Sequence, residues 1–129
     1  MSEPDKSMRS ALGRARYLGS ARRGSRDAWL TKVTAAALIV LASGLVLMLL
    51  TLLSKDYNGV RDELGHPAPA ILTLLFALVA TFHMHLGMRS VILDYLHGHV
   101  REWALIANIC FAGAIAMACV YAVLRIGFV

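Results

Sequence analysis

The sequence predicts an all-α integral membrane protein with three transmembrane helices and a cytoplasmic N-terminus. Its 129 residues are 58% hydrophobic and only 16% charged, whereas soluble domains carry about 45–50% apolar and about 25% charged residues. Three stretches of 21, 21 and 22 residues contain no Asp, Glu, Lys or Arg: Val33–Leu53, Ala68–Met88 and Trp103–Leu124. Each is long enough to cross a hydrocarbon core of about 30 Å, which needs about 20 helical residues. This composition disfavours a soluble globular enzyme, a disordered chain and a disulfide scaffold.

The excess positive charge lies before the first span. The formal net charge is +5, and residues 1–32 alone hold eight basic and three acidic side chains. Because Lys and Arg beside a span stay in the cytoplasm, we expect the N-terminus inside and the mildly acidic connection 54–67 outside. The segment 94–102 is then inside again. Arg125 would lie on the outer side, against the same rule.

The chain divides into two regions. Residues 1–28 form a basic cytoplasmic segment, and residues 29–129 form a three-helix membrane anchor domain. We place its spans at about 33–53, 68–92 and 103–124. A cleaved signal peptide is disfavoured because such a peptide has an apolar core of about 7–15 residues. The basic segment contains one aromatic residue, Tyr17, and no sign of a nucleic-acid-binding fold, so nucleic acid is not expected as a partner.

The first connection has the sequence signals of a turn. Asn58-Gly59 is typical of a turn. Pro67 and Pro69 suit the first turn of the second helix, where a missing N–H costs little. No regular element is predicted between the first and second spans.

Ionisable groups inside a span are costly and usually functional, and the second span carries several. At about 100° per residue, Gly87, Ser90 and Asp94 all lie within about 40° of His83, so these four residues form one narrow face. His85 lies about 200° from His83 and points to the other side. Two histidines so arranged cannot hold one metal ion from a regular helix. Cys110 and Cys119 lack the spacing of a zinc site.

A single intramembrane histidine next to a glycine is compatible with two interpretations. In the first, His83 simply forms a hydrogen bond to a neighbouring helix. In the second, it is an axial ligand of a haem, for which imidazole is common, with Gly87 leaving room for the porphyrin plane. The second axial ligand would then come from another chain. The other ring nitrogen of His83 needs an acceptor, which the sequence does not identify.

Asp94 and Tyr95 end the second span at its cytoplasmic boundary. Tyrosine is common at membrane interfaces without any further role. The functional alternative is a quinone site, in which the phenol of Tyr95 donates a hydrogen bond to a quinone carbonyl beside a carboxylate. Arg89 can reach the interface and pair with a haem propionate or support the quinone pocket.

These residues resemble a known family. The pattern His83, Gly87, Val91, Asp94, Tyr95 is similar to that of the hydrophobic membrane anchor of succinate dehydrogenase, also called its cytochrome b small subunit. The following His97-Gly98 resembles the mitochondrial and alphaproteobacterial branch of that family. A second similarity precedes and enters the first span. It comprises Leu18-Gly19-Ser20-Ala21, Gly24, Trp29 and Thr34-Ala35.

The resemblance implies a role for each matching residue. His83 is expected to be an axial ligand of haem b iron, and the partner ligand is expected from the large cytochrome b subunit. Tyr95 is expected to donate a hydrogen bond to ubiquinone at a site that Asp94 helps to shape. Gly87 and Arg89 are expected in the haem and quinone surroundings. His85 and the third span receive no role.

The resemblance also implies partners and a place in metabolism. Succinate oxidation belongs to a flavoprotein subunit and an iron–sulfur subunit, so this chain has no catalytic residue of its own. It anchors them in the bacterial inner membrane and serves electron transfer between the tricarboxylic acid cycle and the respiratory chain. The alternative left open by the residues is a cofactor-free three-span membrane scaffold or assembly protein.

Overall fold

The computed structural model describes residues 21–128, and this part of the chain is almost entirely helical. Three helices are long and apolar enough to cross a membrane, as the sequence predicts. The Leu18-Gly19-Ser20 match lies outside the described residues. The elements are α1 (Ala21–Leu52), α2 (Tyr57–Gly65), α3 (Pro67–Tyr95) and α4 (Gly98–Phe128).

The three long helices extend beyond the predicted uncharged stretches at one or both ends. Their candidate spans are 28, 29 and 30 residues long, which corresponds to about 42–45 Å at about 1.5 Å per residue. This length matches a bilayer with its headgroup regions, about 40–45 Å. Charged residues such as Asp27, Arg89 and Asp94 therefore belong to the helices themselves, at their interfacial ends. The predicted orientation of the N-terminus stays a prediction.

Helix α3 is the centre of the arrangement. It packs against α1 on one side and against α4 on the other, while α1 and α4 make almost no contact with each other in the part described. The buried positions are few and include polar ones, with Thr34, Thr81 and Asn108 between 6% and 9% exposed. Many large apolar side chains are open to the surroundings, Ile39 at 73% and Met117 at 70% among them. Such a surface is suited to lipid or to neighbouring helices.

The first connection differs from the predicted turn because it contains the short helix α2. Asp56 caps this helix, its carboxylate accepting a hydrogen bond from the Gly59 backbone N–H at 3.0 Å. Lys55 forms an ion pair with Glu63 at 2.7 Å. The hydrogen bond and charge of Lys55 hold the pKa of Glu63 below its ordinary value. Asn58-Gly59 thus lies in a capped first helical turn.

The second connection is much shorter than the segment 94–102 placed at this boundary from the sequence. Only Leu96 and His97 lie between α3 and α4. Gly98 has a φ of +62°, a left-handed conformation that favours glycine and lets the chain reverse at once. Asp94 and Tyr95 therefore form the last turn of α3.

Candidate functional site

His83 lies midway along α3 and faces α1. Its Nδ1 atom is 2.8 Å from the Thr34 hydroxyl oxygen. That hydroxyl donates its single hydrogen to the Leu30 carbonyl at 2.9 Å, with the Thr31 carbonyl also close at 3.1 Å. Because a hydroxyl has one hydrogen and two lone pairs, Thr34 can accept a hydrogen bond from Nδ1–H of His83 while it donates to Leu30. The lone pair of Nε2 is then available to a ligand.

The helix surface beside His83 is open. Gly87 follows one turn later on the same face and is exposed. A Cβ atom added at Gly87 would meet no atom within 4 Å. Ser90 and Asp94 continue this face and are also exposed. A strip of α3 about 16 Å long, from His83 to Asp94 at about 1.5 Å per residue, is thus accessible to a flat ligand or a partner helix.

Asp94 and Tyr95 lie at the end of this strip. Tyr95 is 78% exposed, and Asp94 is exposed as well. Along the helix axis Tyr95 is about 18 Å from His83, which is twelve residues at about 1.5 Å each. Asp94 and Tyr95 are adjacent in the last turn of α3, but α1 and α4 do not enclose them. The described residues therefore leave Tyr95 open to the surroundings.

Arg89 forms an ion pair with Asp27 of α1 at 2.8 Å, and both side chains are about one-third exposed. The pair borders a cavity of about 330 Å³ that Arg26 and Leu30 also line. The sequence leaves the partner of Arg89 open between a haem propionate and a quinone pocket. The sequence does not predict Asp27 as the partner of Arg89, since that ion pair depends on how α1 and α3 are aligned.

His85 faces α4, on the opposite side of α3 from the Thr34 contact, as the helical angle predicts. The Asn108 amide nitrogen lies 3.1 Å from His85 Nδ1 and 3.1 Å from the His85 backbone oxygen. Asn108 is only 6% exposed. Sequence reasoning missed this residue. Asn108 is the single amide side chain of the third span, and a lone amide among apolar residues could have indicated a hydrogen bond between helices.

The two histidines are therefore separate polar contacts. Across residues 21–128, no group of three or more His, Cys, Asp or Glu side chains is arranged to hold a metal ion. Cys110 and Cys119 are free thiols in α4. What the described chain offers is a membrane-embedded imidazole, His83, whose Nδ1 contacts Thr34 and which lies beside an open glycine.

Comparison with known proteins gives a consistent family. The family model described as "Succinate dehydrogenase/Fumarate reductase transmembrane subunit" matches residues 6–123. The chain belongs to this family. A Paracoccus denitrificans protein named "Succinate dehydrogenase hydrophobic membrane anchor subunit" is 34% identical over 113 residues, covering 88% of each chain.

Two further relatives carry the same name. The Rickettsia bellii protein is 32% identical over 88 residues, which are 68% of this chain and 70% of the relative. The Rickettsia conorii protein is 32% identical over 92 residues, which are 70% and 73% of the two chains. No solved structure matches. The family membership predicted from the His83–Tyr95 pattern is confirmed.

Proposed function

We propose that this chain is the small membrane-anchor subunit of a succinate:ubiquinone oxidoreductase, in which it holds haem b through His83 and contributes to the ubiquinone reduction site. The family match and the names of the Paracoccus and Rickettsia relatives support the anchor role. Its partners are then a large cytochrome b subunit, an iron–sulfur subunit and a flavoprotein subunit. Electrons from succinate reach ubiquinone through that assembly.

The hydrogen bond between Thr34 and His83 is the observation that carries the haem proposal. The Thr34 oxygen can accept a hydrogen bond from Nδ1–H while its own hydrogen goes to Leu30, and in that tautomer Nε2 is the ligand atom. Gly87, one turn away and with open space where a Cβ would be, leaves room for a porphyrin edge. These residues fit a haem, which supplies a one-electron carrier when bound. His85 is committed to Asn108, so the second axial ligand comes from the partner cytochrome subunit.

Tyr95 and Asp94 form this chain's contribution to the quinone site. The exposed phenol of Tyr95 donates a hydrogen bond to a quinone oxygen, and Asp94 orients that phenol or assists proton delivery. The site is completed by the partner subunits. Arg89 is engaged with Asp27 and stabilises the contact between α1 and α3 just inside this boundary.

The anchor is proposed to lie in the bacterial inner membrane with its N-terminus in the cytoplasm. The concentration of basic residues before α1 supports this orientation, and the Paracoccus and Rickettsia relatives are bacterial. Tyr95 and the ends of α3 and α4 that meet at Gly98 are then on the cytoplasmic side.

Cysteine labelling tests the orientation in a background without Cys110 and Cys119. Trp29→Cys should react only from inside, because it precedes the first uncharged stretch, and Asp62→Cys only from outside. Both positions are accessible, since Trp29 is 66% exposed and Asp62 is exposed as well. The reverse pattern of labelling would overturn the proposed orientation.

The haem proposal is tested by comparing His83→Ala with His85→Ala in the purified four-subunit complex. His83→Ala should abolish the b-type absorbance and the haem content of the complex. His85→Ala removes an imidazole from the same helix two residues away and should retain haem. Retention of full haem in His83→Ala would contradict the proposal. A colourless wild-type protein that purifies without the other three subunits would favour the cofactor-free scaffold.

The quinone proposal is tested by Tyr95→Phe with Tyr121→Phe as the matched control. Tyr121 is also exposed, at 65%, but lies toward the end of α4 that is away from Gly98 and Tyr95. Tyr95→Phe should reduce ubiquinone reductase activity at least tenfold, because a lost hydrogen bond to a polarised oxygen costs about 1.4 kcal/mol or more. Succinate oxidation with an artificial acceptor should not change. Equal ubiquinone kinetics in both variants would remove Tyr95 from the site.

A further inference from the structure

Thr34 makes a contact that an ordinary helical threonine does not make. Threonines in helices commonly donate to the carbonyl four residues earlier, and Thr31 and Thr81 do so at 2.9 and 2.8 Å. Thr34 donates to Leu30 in the same way, but its oxygen also meets His83 across the helix interface at 2.8 Å. Its exposure is only 9%. The contact is therefore specific to this position and protected from water.

The direction of the hydrogen bonds follows from the donors. The Thr34 hydroxyl lies 2.9 Å from the Leu30 carbonyl of its own helix, which can only accept a hydrogen bond. The Thr34 oxygen is thus left as an acceptor for an N–H, and the near ring atom of His83 is Nδ1. With the opposite tautomer, the Thr34 hydroxyl would have to turn its hydrogen away from the Leu30 carbonyl and donate it to Nδ1 to keep the 2.8 Å contact. When Nε2 of a neutral ring binds iron, the ring hydrogen is on Nδ1, and the Thr34 oxygen is then the acceptor at 2.8 Å.

We propose that Thr34 is a positioning residue for the haem site: it holds His83 in the Nδ1–H tautomer and sets how strongly Nε2 donates electrons to iron. This inference rests on the proposed haem ligation by His83. An acceptor on the remote nitrogen raises the basicity of the ligating nitrogen. A more basic imidazole stabilises ferric over ferrous iron and lowers the reduction potential. The neutral hydroxyl of Thr34 gives a smaller effect than a carboxylate would.

The direct test is a redox titration of the haem in the purified complex with Thr34→Val, which preserves shape and removes the acceptor. Nδ1–H then has no partner, and the ferrous state is favoured. The ferrous-to-ferric ratio at a fixed potential should rise about threefold to tenfold, which corresponds to an upward shift of up to about 59 mV for one electron. Thr34→Ser restores a hydroxyl and should return the wild-type potential.

Thr31→Val is the matched control, because Thr31 makes the same bond to its own helix without a histidine contact. It should leave the potential unchanged. A wild-type potential in Thr34→Val with full haem content would overturn the positioning role while leaving ligation by His83 intact. Haem retention in His83→Ala would instead remove the proposed ligation itself.

Thr34→Ala keeps the inference testable if Thr34→Val does not assemble, because alanine is smaller, favours the helix and removes the same acceptor. Pulsed electron paramagnetic resonance of the ferric complex measures the nitrogen quadrupole couplings of the remote ring nitrogens of the histidine ligands, His83 among them. One of these couplings should change from the value of a hydrogen-bonded N–H in the wild type toward that of a free N–H in Thr34→Ala. Identical couplings in the two complexes would overturn the positioning role.

Discussion

The contact between His85 and Asn108 predicts a measurable coupling between α3 and α4. Asn108 donates one amide hydrogen to the His85 ring and one to the His85 backbone oxygen, each at 3.1 Å. Hydrogen bonds between membrane helices contribute about 0.6 kcal/mol each on average. Asn108→Ala removes both and should cost about 1.2 kcal/mol through hydrogen bonding alone, at about 0.6 kcal/mol per bond.

His85→Ala and Asn108→Ala remove different numbers of hydrogen bonds, so the cycle has a definite expected coupling energy. His85→Ala removes only the ring acceptor and should cost about 0.6 kcal/mol in hydrogen bonding, because the backbone oxygen of residue 85 stays. The double variant loses no more hydrogen bonds than Asn108→Ala. The coupling energy in a double-mutant cycle should therefore be about 0.6 kcal/mol, and packing losses that are independent cancel in the cycle.

The assay is unfolding of the purified complex in mixed micelles as the fraction of SDS rises. A fluorine label on Cys110, an exposed thiol of α4, reports the unfolding of this helix, with Cys119 replaced by Ala. The control cycle pairs His85→Ala with Met117→Ala, since Met117 is 70% exposed and lies beyond Asn108 on α4. The control should be additive. A His85–Asn108 coupling no larger than the control would refute the hydrogen-bonded contact.

Two further predictions concern the connections. Gly98→Ala should lower the free energy of unfolding by about 1–2 kcal/mol because alanine disfavours a left-handed φ, whereas Gly113→Ala, within α4 and also open around its Cβ, should not destabilise. Equal stability of the two variants in the same SDS titration would contradict this. The hydrogen bond from Lys55 lowers the pKa of Glu63. The contribution of this ion pair to the free energy of unfolding is therefore present above the ordinary carboxyl pKa and is lost as the pH falls through the lowered pKa. Lys55→Gln should raise the pKa of Glu63 in an NMR titration, and an unchanged pKa would argue against the ion pair.

The sequence predicts the architecture because a membrane span has a simple requirement. An uncharged run of about 20 residues is enough to identify a spanning helix, and all three were found. The helix ends were harder, because charged residues such as Asp27 and Arg89 continue the helices into the interface. The short helix α2 was missed because the Asn58-Gly59 pair is typical of a turn, whereas the helix depends on the N-cap at Asp56.

The candidate site was predictable where it depends on one helix and not where it depends on two. The opposite directions of His83 and His85 follow from a helical angle of about 200°, which the structure confirms. Their partners Thr34 and Asn108 depend on how neighbouring helices are aligned, and helical periodicity carries no such information. In the proposed function, other chains complete the sites at Gly87 and Tyr95, and one sequence would then contain only part of either site.

A cryo-electron microscopy map of the purified four-subunit complex tests the central claim most directly. The account predicts a haem beside Gly87 whose iron is bound to His83 Nε2, with the Thr34 hydroxyl on Nδ1 and a second ligand from the large cytochrome subunit. A haem ligated by other residues, or lipid or partner side chains filling the space beside His83 and Gly87, would contradict it.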